Sequence, residues 1–220
     1  MSAEEAAMAF RRDEIDMLKK EYECLNRTPQ EIAQLINEEV IGQEEVVEKI
    51  VHVVYYNQMS NLLDDVGEDA PKRINMLIIG PTGCGKTSSI NALKKYFKVP
   101  IAKYSADSIT SAGYVGNKVE DILIRLFDEA GGDLALAERG IVYIDEIDKK
   151  LEQYSNSGRD INGRAVQEEL LKVLEPSLID LTLPNKSKIR FLLNSSDKKN
   201  PISFSQEKNK DKKYNKIYCK

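Results

Sequence analysis

The sequence predicts an α/β fold, a parallel sheet flanked by helices and preceded by N-terminal helices, and three observations carry that prediction. The apolar run at residues 74–79 leads through the glycine loop GPTGCGKT, residues 80–87, into the helix-forming stretch SSINALKKYF. A second apolar run, Ile141, Val142, Tyr143 and Ile144, ends in the acidic pair Asp145 and Glu146. Between and after these runs apolar residues recur at three-and-four spacing, so strands alternate with helices, the order that yields parallel sheets.

In chain order, residues 2–26 are rich in Ala, Glu, Lys, Arg and Leu, with Met8, Ile15, Leu18, Tyr22 and Leu25 on one helical face. This predicts a helix with a narrow apolar stripe that packs on the domain or against a partner helix. Thr28, Pro29, Gln30 and Glu31 spell a capping box with proline at the first helical position, starting a short helix to about Glu39. A third helix begins at Gln43, with Val47, Ile50, Val51, Val54 and Tyr55 on one side. The polar stretch at 64–73 reads as the loop into the first strand, 74–79. The helix after the glycine loop ends near Lys98, and a second strand follows around 101–104. Val119, Ile122, Leu123, Leu126, Phe127 and Ala130 define an amphipathic helix starting near Asn117. Gly131 and Gly132 break it, and the run to Ile144 reads as a buried third strand. A helix bearing Val166, Leu170, Leu171, Val173 and Leu174 stops before Pro176, and residues 188–194 read as a fourth strand. Beyond Ser195 periodicity ends and lysine and asparagine accumulate, so the tail reads as disordered.

The residue types in the glycine loop suit a phosphate. Gly80, Gly83 and Gly85 let the backbone wrap closely around phosphate oxygens, and Lys86 supplies a point charge to the terminal phosphates. Thr87 offers a hydroxyl to Mg²⁺, and the helix beginning near Lys86 presents unpaired N–H groups to the anion. Pro81, Thr82, Cys84 and Ser88 complete the nucleotide-binding stretch; Cys84 reads as a small residue that fits the loop, with a redox switch as the alternative. Asp145 and Glu146 emerge at the C-terminal end of a strand, the edge of a parallel sheet where ligands sit. Acids at a strand end are common by themselves. About 60 residues after a glycine loop, Asp145 is expected to hold Mg²⁺ and Glu146 to orient and deprotonate a water aimed at the γ-phosphate of ATP. Asn194 could reach the same phosphate from the strand next to the acidic one. Gly113, Tyr114, Val115 and Gly116 set an aromatic among glycines, either a contact element at a loop tip or a residue folding back on the core.

Composition narrows the classes. The 220 residues allow one sizeable α/β domain, and 41% hydrophobic with 31% charged residues describes an ordinary globular chain. No apolar run is long enough to span a bilayer, and the N-terminus lacks the basic and apolar regions of a secretory signal, so the expected location is cytoplasmic. Cys24, Cys84 and Cys219 are widely spaced, which supports neither a disulfide framework nor a zinc site. The net charge of −4 is split: eight lysines against three acids from Asp197 onward give the tail +5, leaving −9 for the body. Such a tail reads as a solvated end, and nucleic acid is not the expected partner.

Taken together, VIGQ at 40–43, GPTGCGKT, AGYVG at 112–116 and ERGIVYIDEIDK at 138–149 resemble AAA+ unfoldases of the ClpX type, with HslU the next nearest. The likeness runs from about Thr28 to about Glu175, with the motifs in the family's order. It implies a P-loop NTPase sheet, ATP and Mg²⁺ as cofactors, protein substrates, and a homo-hexamer. It implies Val40 and Ile41 as adenine contacts and residues 113–116, with Tyr114 at their head, as the pore loop that grips a translocating polypeptide. Residues 159–167 resemble the second pore loop, with Arg164 where the family has an acid. The zinc-binding module, the peptidase-docking IGF loop, the arginine finger, the fifth strand and the small helical domain have no counterpart, so peptidase docking is not expected and hydrolysis should be weaker than binding. The alternative to an active unfoldase subunit is a truncated relative that holds ATP and regulates complete hexamers. The expected division is an N-terminal helix at 1–27, a partial AAA+ large subdomain at 28–196 and a basic tail at 197–220.

Overall fold

The computed structural model describes residues 22–65, 69–106, 119–150, 154–155, 158–159, 167–168, 170–171, 173–175, 177–184 and 188–193. Thr28 caps α1 (Pro29–Asn37) as its sequence predicts. Its Oγ1 accepts from the Glu31 amide at 3.3 Å, and its own amide donates to Glu31 Oε2 at 2.7 Å. Gly42, at φ +77°, turns the chain into the 22-residue α2 (Glu44–Asp65). One face of α2 buries Val47, Ile50, Val51 and Val54 against Ile32 and Ile36 of α1. Ile90, Leu93 and Phe97 of α3 (Lys86–Phe97) complete this cluster. Glu39 ties α1 to α3 from outside, accepting from Lys95 and from the Tyr96 hydroxyl at 2.7 Å.

Two parallel strands form the centre, β1 (Ile101–Ser105) and β2 (Ile141–Asp145), in register from Ile101 beside Ile141 to Ser105 beside Asp145. Between them lie α4 (Val119–Glu129) and the short α5 (Leu134–Glu138), so this unit is a strand, helical crossover and parallel strand. Alternation sends Ile101, Ile141 and Tyr143 toward the α1–α3 cluster and Ala102, Val142 and Ile144 toward the clusters built on α4. Gly140 enters β2 under close cover: a Cβ there would lie 2.8 Å from Leu126 Cδ1 and 2.9 Å from the Ala137 carbonyl oxygen. Residues 167–168, 170–171 and 173–174 are helical, and Leu170 and Val173 pack with Ile122 of α4. A two-residue ladder joins β3 (Tyr154–Ser155) to β4 (Gly158–Arg159) in the polar segment after the acidic pair.

Three expectations are corrected. The run at 74–79, read as the first strand, joins no ladder; Leu77 is 70% and Ile79 87% exposed. The Asn57 side chain takes the place of a strand partner, accepting from the Ile74 amide at 2.8 Å and donating to its carbonyl at 2.9 Å. A cavity of about 220 Å³ is lined by Ile74, Met76 and Ile78 together with Val142, Tyr143 and Ile144 of β2. Second, the fourth strand is β6 (Lys188–Leu193), but it pairs antiparallel with β5 (Ser177–Thr182), a strand not foreseen, and not with the acidic strand. A hairpin closes a short loop at little entropic cost, and the Asp180–Arg190 ion pair, 2.5 Å from Nε to Oδ1, locks the register across it. Leu181 and Phe191 reach the core beside Leu123 and Leu126, so the hairpin still covers the α4 side of the domain. Third, the N-terminal helix does not continue to residue 26. Tyr22 has φ −105° and ψ 55°, outside the helical region, and Glu23–Asn26 is a 3₁₀ turn whose Cys24 belongs to the α1–α3 cluster.

Candidate functional site

The glycine loop and the acidic strand meet at the C-terminal edge of β2. Gly83 and Gly85 sit at φ +81° and +92°, conformations that L side chains rarely adopt, and Gly85 delivers the chain directly into α3. The sharpness of that turn aims the first N–H groups of α3 back toward the loop, an arrangement suited to an anion. The Lys86 ammonium lies within the loop, donating to the carbonyls of Gly80 and Pro81 at 2.8 Å each, with Cys84 Sγ 3.7 Å away. Thr87 Oγ1 donates to Asp145 Oδ2 at 3.3 Å, joining residues 58 positions apart. A hydroxyl and a carboxylate oxygen this close form part of a hard-oxygen donor set of the kind that Mg²⁺ accepts. Ser88 is exposed one residue on, and Pro81 and Thr82 lie on the open side of the loop.

Glu146 stands just past β2 with φ 55°, a left-handed backbone costly for a residue with a Cβ and concentrated at functional positions. Its amide donates to Asp145 Oδ1 at 2.9 Å, and its Oε2 accepts from Ser105 Oγ at 3.2 Å. The parallel register produces that contact by setting Ser105 beside Asp145 at the strand ends. Ser105 is a site residue that sequence reasoning missed; its one signal is its place at the end of β1. Tyr143 is another, two residues before Asp145 and on the same face. Burial above all, with the Asp145 carboxylate nearby, holds its phenol above the ordinary value, while the Thr87 hydroxyl opposes that rise.

The VIGQ segment divides. Val40 is buried at 7% exposure, Ile41 is 86% exposed, and Gln43 lies against the loop, its Cγ 3.5 Å from where a Cβ on Gly85 would stand. The segment therefore borders the glycine loop through Gln43, with Ile41 as its accessible apolar side chain. Asn194 and the stretch Gly113, Tyr114, Val115 and Gly116 lie outside the described residues. Because β6 pairs with β5, the strand that leads to Asn194 is not the ladder neighbour of the acidic strand, which removes the geometric basis of its expected reach. Leu170 and Val173, with Ile122 of α4, pack on the Val142 and Ile144 face of β2, opposite the face of Tyr143.

A glycine loop feeding a helix, a threonine joined to a strand-end aspartate and a glutamate beyond it make an arrangement on an α/β sheet that suits a phosphate-bearing ligand with a divalent cation. Residues 76–202 match the AAA family, the ATPase family associated with various cellular activities, and the chain belongs to that family. Within it the chain is ClpX-like. It is 40% identical over 181 residues to the ATP-dependent Clp protease ATP-binding subunit ClpX of Porphyromonas gingivalis strain ATCC 33277, covering 80% of this chain and 43% of that protein. It is 41% identical over 152 residues to the ClpX of Treponema denticola, covering 67% and 36%. For the ClpX of Borrelia duttonii strain Ly the figures are 39% over 160 residues, 70% and 37%. The chain thus spans less than half the length of these relatives.

Proposed function

We propose that this chain is the nucleotide-hydrolysing part of a ClpX-type unfoldase subunit, which binds ATP with Mg²⁺ and couples its hydrolysis to movement of a polypeptide. The observation that carries the reading is the convergence of Thr87, Asp145 and Glu146 beside Lys86 at one edge of β2. In this reading Lys86 leaves the carbonyls of Gly80 and Pro81 for phosphate oxygens, exchanging neutral acceptors for charged ones that bond about twice as strongly. Residues 80–88 wrap the phosphates, and Ile41 lies against the base. Thr87 and Asp145 would hold Mg²⁺, whose charge offsets that of the phosphates. Glu146 accepts a proton from the attacking water, and Ser105 keeps its carboxylate aimed there. Residues 113–116 supply the pore loop with Tyr114 as the gripping side chain, protein is the substrate, and the assembly is a homo-hexamer working in the cytoplasm.

Steady-state ATP hydrolysis and nucleotide binding by the purified chain, with Glu146→Gln as control, test the proposal. Turnover that disappears in the control while binding persists supports an ATPase centred on Glu146. Binding without turnover in either protein would replace the hydrolase reading by that of an ATP-holding regulator, and no binding at all would remove both.

A further inference from the structure

We infer that the cavity of about 220 Å³ lined by the segment at 74–78 and by β2 binds a small neutral molecule with an apolar body and an amide or hydroxyl head. Two polar residues of the lining, Asn61 and Arg73, set the chemistry of that head. Asn61 is 3% exposed, and its Oδ1 has no hydrogen-bond partner among the described residues. Arg73 Nε is equally without one there, although the same guanidinium reaches Asp64 Oδ2 through Nη2 at 3.5 Å. A buried acceptor and a buried donor left unpaired both cost stability. A head that donates and accepts supplies what each of them lacks.

The rest of the lining selects the body. Val54, Ile78, Leu93 and Val142 are among the walls, and such walls suit carbon. Arg73 and Glu138 bring opposite charges to the lining, and Arg73 is already paired with Asp64, which leaves no net charge to hold an ion. Volume sets the size. An apolar cavity of about 150 Å³ takes up benzene, so one of about 220 Å³ has room for a ring with a short polar head. The described lining includes no residue of the glycine loop and neither Asp145 nor Glu146, so the ligand is not the nucleotide. Because the segment at 74–79 joins no ladder, its displacement to admit a ligand breaks no strand pairing.

Benzamide is the probe, added to the full 220-residue chain carrying carbon-labelled methionine methyl groups and followed by NMR. Of the five methionines, Met76 lines this cavity and Met59 lines a separate groove on α2. The expected result is a saturable shift of the Met76 methyl signal, assigned with Met76→Leu. Its Kd should be about 1 mM or below, within reach of a ligand of roughly nine non-hydrogen atoms. N,N-dimethylbenzamide, which cannot donate, should bind the unaltered protein at least about fivefold more weakly. Asn61→Leu removes the buried acceptor, so in that variant the affinity for benzamide relative to toluene should fall at least about fivefold. No saturable shift at Met76, a larger shift at Met59, or equal affinity for the two amides overturns the inference, and water alone then meets Asn61 and Arg73. An unchanged ratio in a folded Asn61→Leu protein overturns it as well. If that variant does not fold, the comparison of the two amides on the unaltered protein decides. None of these readouts involves nucleotide, so the outcome is independent of the proposed function.

Discussion

At the scale of single residues, the site is a set of short polar contacts whose removal has separable effects. If Lys86 takes phosphate oxygens as proposed, Lys86→Ala removes charge-assisted bonds and is expected to weaken nucleotide binding at least about a hundredfold, measured by titration calorimetry or a fluorescent analogue. Glu146→Gln keeps the shape but not the basicity of the side chain, so affinity should hold while hydrolysis falls by about 10²–10⁴. Ser105→Ala tests the contact that only the register revealed. Loss of one hydrogen bond to the Glu146 carboxylate should lower kcat about three- to tenfold with KM unchanged. A change in KM alone would place Ser105 in binding instead.

Among the elements, two behave differently because their stabilisation has different origins. The start of α1 is secured locally by the capping box, and Thr28→Ala should cost about 1 kcal/mol in chemical denaturation with no effect on nucleotide affinity. The β5–β6 hairpin depends on tertiary burial: Phe191 is fully buried against the α4 cluster, and Phe191→Ala should cost about 3–5 kcal/mol. Such a loss is a large share of the stability of a domain this size. The segment at 74–79 has less of either support: Asn57 holds Ile74, the Asn75 side chain donates to the Leu174 carbonyl and Ile78 packs on the α1–α3 cluster, but Leu77 and Ile79 face solvent. Its amides beyond Ile74 should therefore exchange with deuterium faster than those of β2.

For the molecule as a whole, the junction of the N-terminal segment with the core sets a dependence on alkaline pH. Burial pushes the Cys24 thiol from its ordinary value of 9.0 up to about 11. Burial, joined by the hydrogen bond to Asp65, also raises the Tyr22 phenol. Both groups hold their protons more tightly folded than unfolded, so the unfolded chain binds fewer protons at high pH and stability falls as pH rises. The thiol's contribution is complete below pH 9 and is lost as pH passes through about 11. Tm measured from pH 8 to 11 should decline over that window, and Cys24→Ala should make the decline shallower. No described helix is long and apolar enough to cross a membrane.

What the sequence determined by itself is whatever depends on neighbours in the chain. The capping box at Thr28, the positive-φ glycines at 83 and 85, the helix after the loop and the acidic end of β2 were all legible, because each is a short-range requirement of backbone geometry or periodicity. Asp145 and Glu146 could be named from spacing alone, yet only the fold brings Thr87 to Asp145 and Ser105 to Glu146. The partner of each strand was not legible: an apolar run signals burial and extension, not which edge receives it. Hence residues 74–79 have no ladder, and β6 turns back on β5 instead of entering the central sheet. The stretch SLIDLT–LPNKS–KIRFLL held a hairpin signal in its two alternating runs and intervening Pro184, but its tertiary cover by α4 and α5 decided the outcome. Pairing and packing are sums over contacts distant in sequence, and those sums exist only once the chain has folded.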